Sequence, residues 1–305
     1  MRIKTTGKVT ENFFIAGLPQ FPVYVLNGKY PVLFEAGIAA SADISIKSVK
    51  ELLAGREPSL LLLTHVHWDH CGGVSELKKA FPNMQVCASS AAAGIMKKPN
   101  AIALMDRLNA EAFDEVHAEG LNKSRFAAFD VDVELAEGML PMDTDEPIDV
   151  IATPGHTRDH LSYYLPQSKI LIAGEAAGAL NPDESMVQPE FLIDYGVYKQ
   201  SMERIAALPA ETLCQCHRIV FTGRGEVEEF FARAKSDLEN FARLVFYFAD
   251  ETGGDVDEIM SRVKQKQYDP LPFPKQTESS YLINLEVRVK HLLANRQVIE
   301  MEIKK

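Results

Sequence analysis

Ser59-Leu60-Leu61-Leu62-Leu63-Thr64-His65-Val66-His67-Trp68-Asp69-His70-Cys71-Gly72-Gly73 is the stretch on which the reading of this chain turns. Its first part is continuously apolar and bounded by Pro58, which suits a strand buried on both faces. Its second part places three imidazoles and a carboxylate within six residues, at the C-terminal edge of that strand, where ligands gather in α/β sheets. Such a cluster makes little sense as packing, because buried polar groups without partners cost free energy. Around a divalent metal it makes sense: neutral imidazole and carboxylate oxygen are its preferred donors. Gly72-Gly73 permits a tight backbone before the helix that follows.

Working outward, strand and hairpin signals dominate the N-terminal two thirds. Phe13 to Ala16, Val23 to Leu26 and Pro31 to Phe34 form short apolar runs, the last two joined by an Asn27-Gly28 turn. A helix is expected near Ile44 to Leu53 and another near Ser75 to Ala80, with a strand at Gln85 to Ala88. The segment Ala91 to Phe126, rich in Ala, Met, Leu and charge, reads as a helical insertion. Strands resume at Val131 to Leu135, Ile148 to Ala152, Leu161 to Leu165, Ile170 to Ala173 and Leu213 to Gln215.

Past Gly225 the pattern becomes helical, with Val227, Phe230, Phe231, Ala234, Leu238, Phe241, Ala242, Val245 and Phe248 on one face. Gly253-Gly254 ends that helix, and Asp255 with Glu258 caps a shorter one. A Pro-rich link, Pro270 to Pro274, precedes a third helix from about Thr277 to Ala294. Ile299, Met301 and Ile303 alternate with charged residues, which predicts a terminal strand. The expected organisation is an α/β body, residues 1–225 with the insertion at 91–126, followed by a helical C-terminal appendage, residues 226–305.

Composition narrows the function. Hydrophobic residues make up 46% and charged residues 25% of the 305 residues, as in an ordinary globular protein. No run approaches the roughly 18 apolar residues of a membrane span, and the start of the chain lacks the apolar core of a secretory signal. A formal charge of −11 disfavours a phosphate backbone as partner, so no nucleic acid is expected. Cys71, Cys87, Cys214 and Cys216 form no disulfide framework; reduced thiols and a cytoplasmic location follow.

Taken with three further segments, the histidine cluster resembles the metallo-β-lactamase fold superfamily. Thr153-Pro154-Gly155-His156-Thr157-Arg158-Asp159-His160 is similar to that family's second metal segment. Ile170-Leu171-Ile172-Ala173-Gly174-Glu175 is similar to the strand ending in its bridging carboxylate, and His217, after Thr212-Leu213-Cys214-Gln215-Cys216, to its last ligand. The resemblance spans about residues 10 to 225. It implies an αββα sandwich in which His65, His67 and His156 hold one divalent ion, Asp69, His70 and His217 hold a second, and Glu175 bridges them. Zinc or iron is implied, with manganese as a third option. The family normally has aspartate at the bridging place, so Glu175 is a departure that bears on metal spacing and number. His160 and Glu35 are implied to act one layer out, by orienting ligands.

The implied chemistry is hydrolysis by a metal-activated hydroxide, with Asp69 as ligand and orienting group. The helical tail and insertion look more like glyoxalase-II-like thioesterases and the quinolone-signal-response protein than like antibiotic-degrading members. A small-molecule thioester or carboxylic ester is therefore the expected substrate. A phosphodiesterase is the alternative, since the same two-metal chemistry serves phosphoryl centres. A regulatory protein acting through partner contacts of the tail is another; helix plus terminal strand resembles a winged-helix remnant, and a tail covering apolar surface or forming a homodimer interface is the plainer reading. A redox member is disfavoured by His67, where such proteins carry glutamate. Cys71 reads as a small buried residue, His117 and His291 as ordinary surface histidines, and Trp68, Tyr163 and Tyr164 as either site walls or packing.

Overall fold

The computed structural model describes residues 1–116 and 120–304. His117 lies outside the described residues. The chain divides into two compact units. The first comprises residues 1–152, 159–174 and 209–227; the second comprises 153–158, 175–208 and 228–305.

Two seven-stranded sheets are described, both in the first unit. One runs, in spatial order, Gly7–Lys8, Phe13–Leu18, Phe21–Leu26, Val32–Phe34, Leu60–Leu62, Gln85–Ser89 and Val133–Leu135. It is antiparallel through the N-terminal hairpins and parallel from Val32–Phe34 onward. The other runs Arg2–Ile3, Val220–Thr222, Thr212–Gln215, Ile170–Gly174, Leu161–Leu165, Asp149–Ala152 and Gly138–Met139, with one parallel pair between Thr212–Gln215 and Ile170–Gly174.

The sequence Leu60-Leu61-Leu62-Leu63 is apolar throughout because each face of this strand meets a different core. Leu60 and Leu62 pack into the cluster between the sheets, with Phe34, Tyr163, Ile172 and Cys214. Leu61 and Leu63 pack into the cluster on the other side, with Val49, Val74, Leu77 and Ala112 from the helices Ala42–Leu52, Val74–Ala80 and Pro99–Glu115. Tyr163 is fully buried and its hydroxyl donates to Leu63 O at 2.6 Å, so it belongs to the core and walls no site. Burial of this sort stabilises by about 25 cal/mol per Å² of apolar surface.

Gly72 follows the histidine cluster with an ordinary φ of −60°. Its role is close approach rather than an unusual turn: a Cβ there would lie 2.6 Å from Ala39 N and 2.4 Å from Trp68 O. That contact lets the chain after the cluster lie against residues 36–39, where Ala36 N donates to His70 O at 2.7 Å.

In the second unit, helices Tyr195–Ala206, Val256–Gln267, Glu278–Ala294 and Arg296–Ile303 accompany most of the long helix Arg224–Thr252. Phe230, Phe231, Ala234, Leu238, Phe241, Ala242 and Val245 are buried along that long helix, as its spacing predicts. Asp255 caps the next helix by accepting from Glu258 N at 3.0 Å.

Three expectations need correction. Residues 299–303 are helical, within Arg296–Ile303, although the alternation predicts a strand. Only Ile299 of the three apolar residues is buried, and an Arg296–Glu300 ion pair at 2.7 Å supports the helix one turn apart. The winged-helix likeness loses its strand with it. The segment read as wholly helical from Ala91 to Phe126 is helical over Ser90–Ile95 and Pro99–Glu115, and irregular from 121 to 132. Finally, His291 is partly buried rather than an ordinary surface histidine: its Nε2 accepts from Tyr195 N at 3.1 Å and its ring lies edge-on to Phe191. Among the described residues, no helix is long and apolar enough to cross a membrane.

Candidate metal centre

Residues 65–70 follow the Leu60–Leu62 strand directly and turn into a short helix, Trp68–Cys71. Two long-range bonds fix this loop. Val66 N donates to Asp159 Oδ2 at 2.9 Å, and Leu161 N donates to Thr64 O at 2.7 Å. Asp159 is itself buried, 2% exposed, and so acts as a loop anchor.

The histidine rings of the first unit stand together. His65 lies 4.6 Å from His67, 4.3 Å from His70 and 5.1 Å from His160, centroid to centroid, the last stacked at 28°. His70 lies 5.4 Å from His217. Asp69 Oδ2 is 3.6 Å from His217 Nε2 and 3.8 Å from His70 Nε2.

Those last two distances test the fit of a metal. They are too long for hydrogen bonds. They match the roughly 3.4 Å edge of a tetrahedral site whose ligands each stand about 2.1 Å from the ion. Asp69, His70 and His217 thus form a group whose ligand atoms all lie within 4.8 Å of one another. His70 is buried, while the side chains of Asp69 and His217 keep 18% and 17% of their surface exposed, so the group opens on their side.

Outer partners decide which nitrogen of each ring faces the cluster. His217 Nδ1 donates to Gln20 O at 2.7 Å, since a carbonyl oxygen can only accept, and this presents Nε2. Thr64 Oγ1 donates to Glu35 Oε1 and therefore accepts from His65 Nδ1 at 3.0 Å, which presents His65 Nε2. The second Glu35 oxygen lies 3.5 Å from His70 Nδ1. One buried carboxylate therefore reaches His65 through a hydroxyl and stands beside His70, and the relay fixes the His65 tautomer as outer partners of candidate ligands do. Glu35 has a left-handed backbone, φ 64°, as does Arg218 beside His217, φ 65°. L-residues rarely adopt that conformation, which Ala54, Lys169 and Glu184 share away from the site.

His156 and Glu175 belong to the second unit. His156 Nδ1 donates to Glu190 O at 2.5 Å, which again presents Nε2. Glu175 opens a single helical turn, Glu175–Ala177, immediately after the Ile170–Gly174 strand, and is 5% exposed. Its carbonyl accepts from Tyr198 Oη at 3.0 Å. Thr64, Asp159, Glu190 and Tyr198 were not singled out by the sequence for any role; Thr64 and Asp159 at least lie inside the motifs, whereas nothing local marks the other two.

Cys71 is fully buried, and burial pushes its thiol well above the ordinary range, with Asp69, Asp159 and Glu35 adding to the effect. It is a packing residue, as expected, since nucleophilic cysteine requires the thiolate. Trp68 is 8% exposed and packs on Phe21 at 6.1 Å.

Comparison with known proteins agrees with this geometry. The chain is 30% identical over 162 residues to a hydroxyacylglutathione hydrolase of Mesorhizobium japonicum, covering 53% of this chain and 49% of that protein. It therefore spans about half the length of that relative. A probable metallo-hydrolase of Bacillus subtilis is 25% identical over 209 residues, 63% of this chain and 77% of that one. Among solved structures, a metallo-beta-lactamase family protein of Thermus thermophilus superposes with a TM-score of 0.64 at 18% identity, covering 95% of each chain. An archaeal superfamily protein of Sulfolobus tokodaii gives 0.56 at 19% identity, over 92% of this chain and 98% of that one. These likenesses show the αββα fold with C-terminal helices. The sequence matches the superfamily's own pattern from residue 17 to residue 217, the span that carries every one of the candidate ligands, and the chain belongs to the metallo-beta-lactamase superfamily.

Proposed function

We propose that this protein is a metal-dependent hydrolase of small thioesters or carboxylic esters. The observation that carries the reading is the spacing of Asp69, His70 and His217, right for a shared ion and wrong for hydrogen bonds. In this reading His65, His67 and His156 would hold one ion, Asp69, His70 and His217 the other, and Glu175 would supply the bridging carboxylate. Imidazole and carboxylate donors suit zinc, iron or manganese alike. Divalent ions held there supply Lewis acidity and a water acidified to a usable nucleophile near neutral pH.

The chain's own residues do the rest. Thr64, donating to Glu35, holds His65 in the tautomer that leaves Nε2 inward, and the second Glu35 oxygen stands beside His70 Nδ1. Asp69, at the open edge, would both help hold an ion and orient the water that attacks. The thioester preference is supported by the relatives named hydroxyacylglutathione hydrolase, a name that describes cleavage of an acyl group from glutathione. The four cysteines, all free and buried, suit a reducing cytoplasmic setting.

The test is turnover of a panel of acyl thioesters, p-nitrophenyl carboxylic esters and bis-p-nitrophenyl phosphate by zinc-, iron- and manganese-loaded protein, with a His65→Ala/His67→Ala variant as control. Thioester or ester turnover that the double variant abolishes is the expected result. Turnover confined to the phosphodiester would replace the acyl reading with the phosphodiesterase one. Absence of turnover across the loaded panel would favour a regulatory role.

A further inference from the structure

Arg288, on the helix Glu278–Ala294, is fully buried. A buried guanidinium is costly unless its donors are used, and here most of them converge on one short stretch of chain. Nη1 donates to Pro189 O. The Gln188 amide, in the orientation that satisfies both groups, turns its oxygen to the same guanidinium, 3.1 Å from Nη2. Nε donates back to Asn284 O at 3.3 Å, and the rings of Phe241 and Tyr281 lie 5.2 and 6.0 Å from the guanidinium carbon.

The next residue along, Glu190, gives its carbonyl to His156 Nδ1. Its amide donates to Tyr198 Oη at 3.4 Å, and that hydroxyl donates to Glu175 O. Gly155, beside His156, lies so close to Tyr198 that a Cβ would sit 2.4 Å from its Cα. Both His156 and Glu175 are thus tied to a frame made of residues 188–190 and Tyr198, and Arg288 ties Gln188 and Pro189 to the helix Glu278–Ala294, beside the Val187 N–Asp237 Oδ2 bond to the long helix. All of these residues lie in the second unit.

We propose that Arg288 is a positioning residue for His156, holding the Pro189–Glu190 backbone so that the Glu190 carbonyl fixes the ring with Nε2 as the ligand atom. The proposal rests on the reading of His156 as a metal ligand. It gives the C-terminal helices a part in assembling the centre, and it names which of the two ions depends on them: the one held with His65 and His67.

The experiment measures Zn²⁺ affinity of the full chain by competition with a chromophoric chelator, and the visible spectrum of the Co²⁺-loaded protein, for wild type, Arg288→Met and Leu285→Ala. Leu285 is fully buried on the same helix and serves as a packing control. Arg288→Met is expected to weaken one of the ions about 10- to 100-fold, the usual range for loss of an outer partner, to leave the other unchanged, and to alter part of the Co²⁺ spectrum. Leu285→Ala is expected to lower the melting temperature with both affinities kept. Should Arg288→Met fail to fold, Arg288→Lys reads the same quantity, since an ammonium cannot fork to Pro189 and Gln188 together. Unchanged affinities in the Arg288 variant, or equal losses in Leu285→Ala, would overturn the positioning role alone. A wild-type chain that takes up no Zn²⁺ would overturn the metal reading and this proposal with it.

Discussion

The loop from His65 to His70 and the frame around His156 and Glu175 do the same task by different means. In the loop, four candidate ligands sit within six residues, and the strand Leu60–Leu62 delivers them together. His65 is oriented there by the Thr64 hydroxyl, which in turn donates to the buried Glu35 carboxylate, whose other oxygen stands beside His70. In the second unit, two candidate ligands well separated in sequence are held through backbone carbonyls by Tyr198, Glu190 and, further out, Arg288. The contrast separates two kinds of information. Which atoms can bind a metal is a matter of residue type and local spacing, while how those atoms are aimed depends on partners brought from elsewhere by the fold.

Substitutions sharpen this contrast or break it. His70→Ala is expected to have the largest effect, removing about one of two ions and lowering turnover by more than the roughly hundredfold that loss of an outer partner causes; metal analysis and steady-state kinetics read both. Leu62→Ala empties a site in the core between the sheets and is expected to cost about 2–5 kcal/mol in urea unfolding. Its metal content should stay at the wild-type value, because the strand still delivers the loop. A drop there would show that aim depends on core packing as well as on Glu35. Thr64→Val keeps shape but cuts the link from His65 to Glu35, and is expected to weaken Zn²⁺ binding about tenfold. Asp255→Ala removes a helix cap far along the second unit and is expected to cost only about 1 kcal/mol with metal binding untouched.

Much of the first unit is legible in the sequence because its signals are local. The Leu60–Leu63 run, the Asn27-Gly28 hairpin and the strands at Leu161–Leu165 and Ile170–Gly174 need only periodicity and turn chemistry to be found. The histidine cluster announces itself by density. What escapes the sequence is non-local. Glu35 could be named from resemblance, but its link to His65 through Thr64 needs the parallel pairing of Val32–Phe34 with Leu60–Leu62. Gln20, Glu190 and Tyr198 carry no mark in their own neighbourhoods. The terminal alternation at 299–303 shows the opposite failure: a local pattern short enough to be overruled by a helical ion pair and one buried side chain.

Glu175 is the residue on which a two-ion centre most depends, since its side chain is one methylene longer than the aspartate that the resemblance leads one to expect there. The direct measurement is metal content by mass spectrometry of the wild-type chain, purified and then equilibrated with Zn²⁺, beside a Glu175→Asp variant. A centre in which Glu175 bridges predicts close to two ions per chain in the wild type. One ion or none in the wild type, with the second appearing only in the aspartate variant, would contradict it.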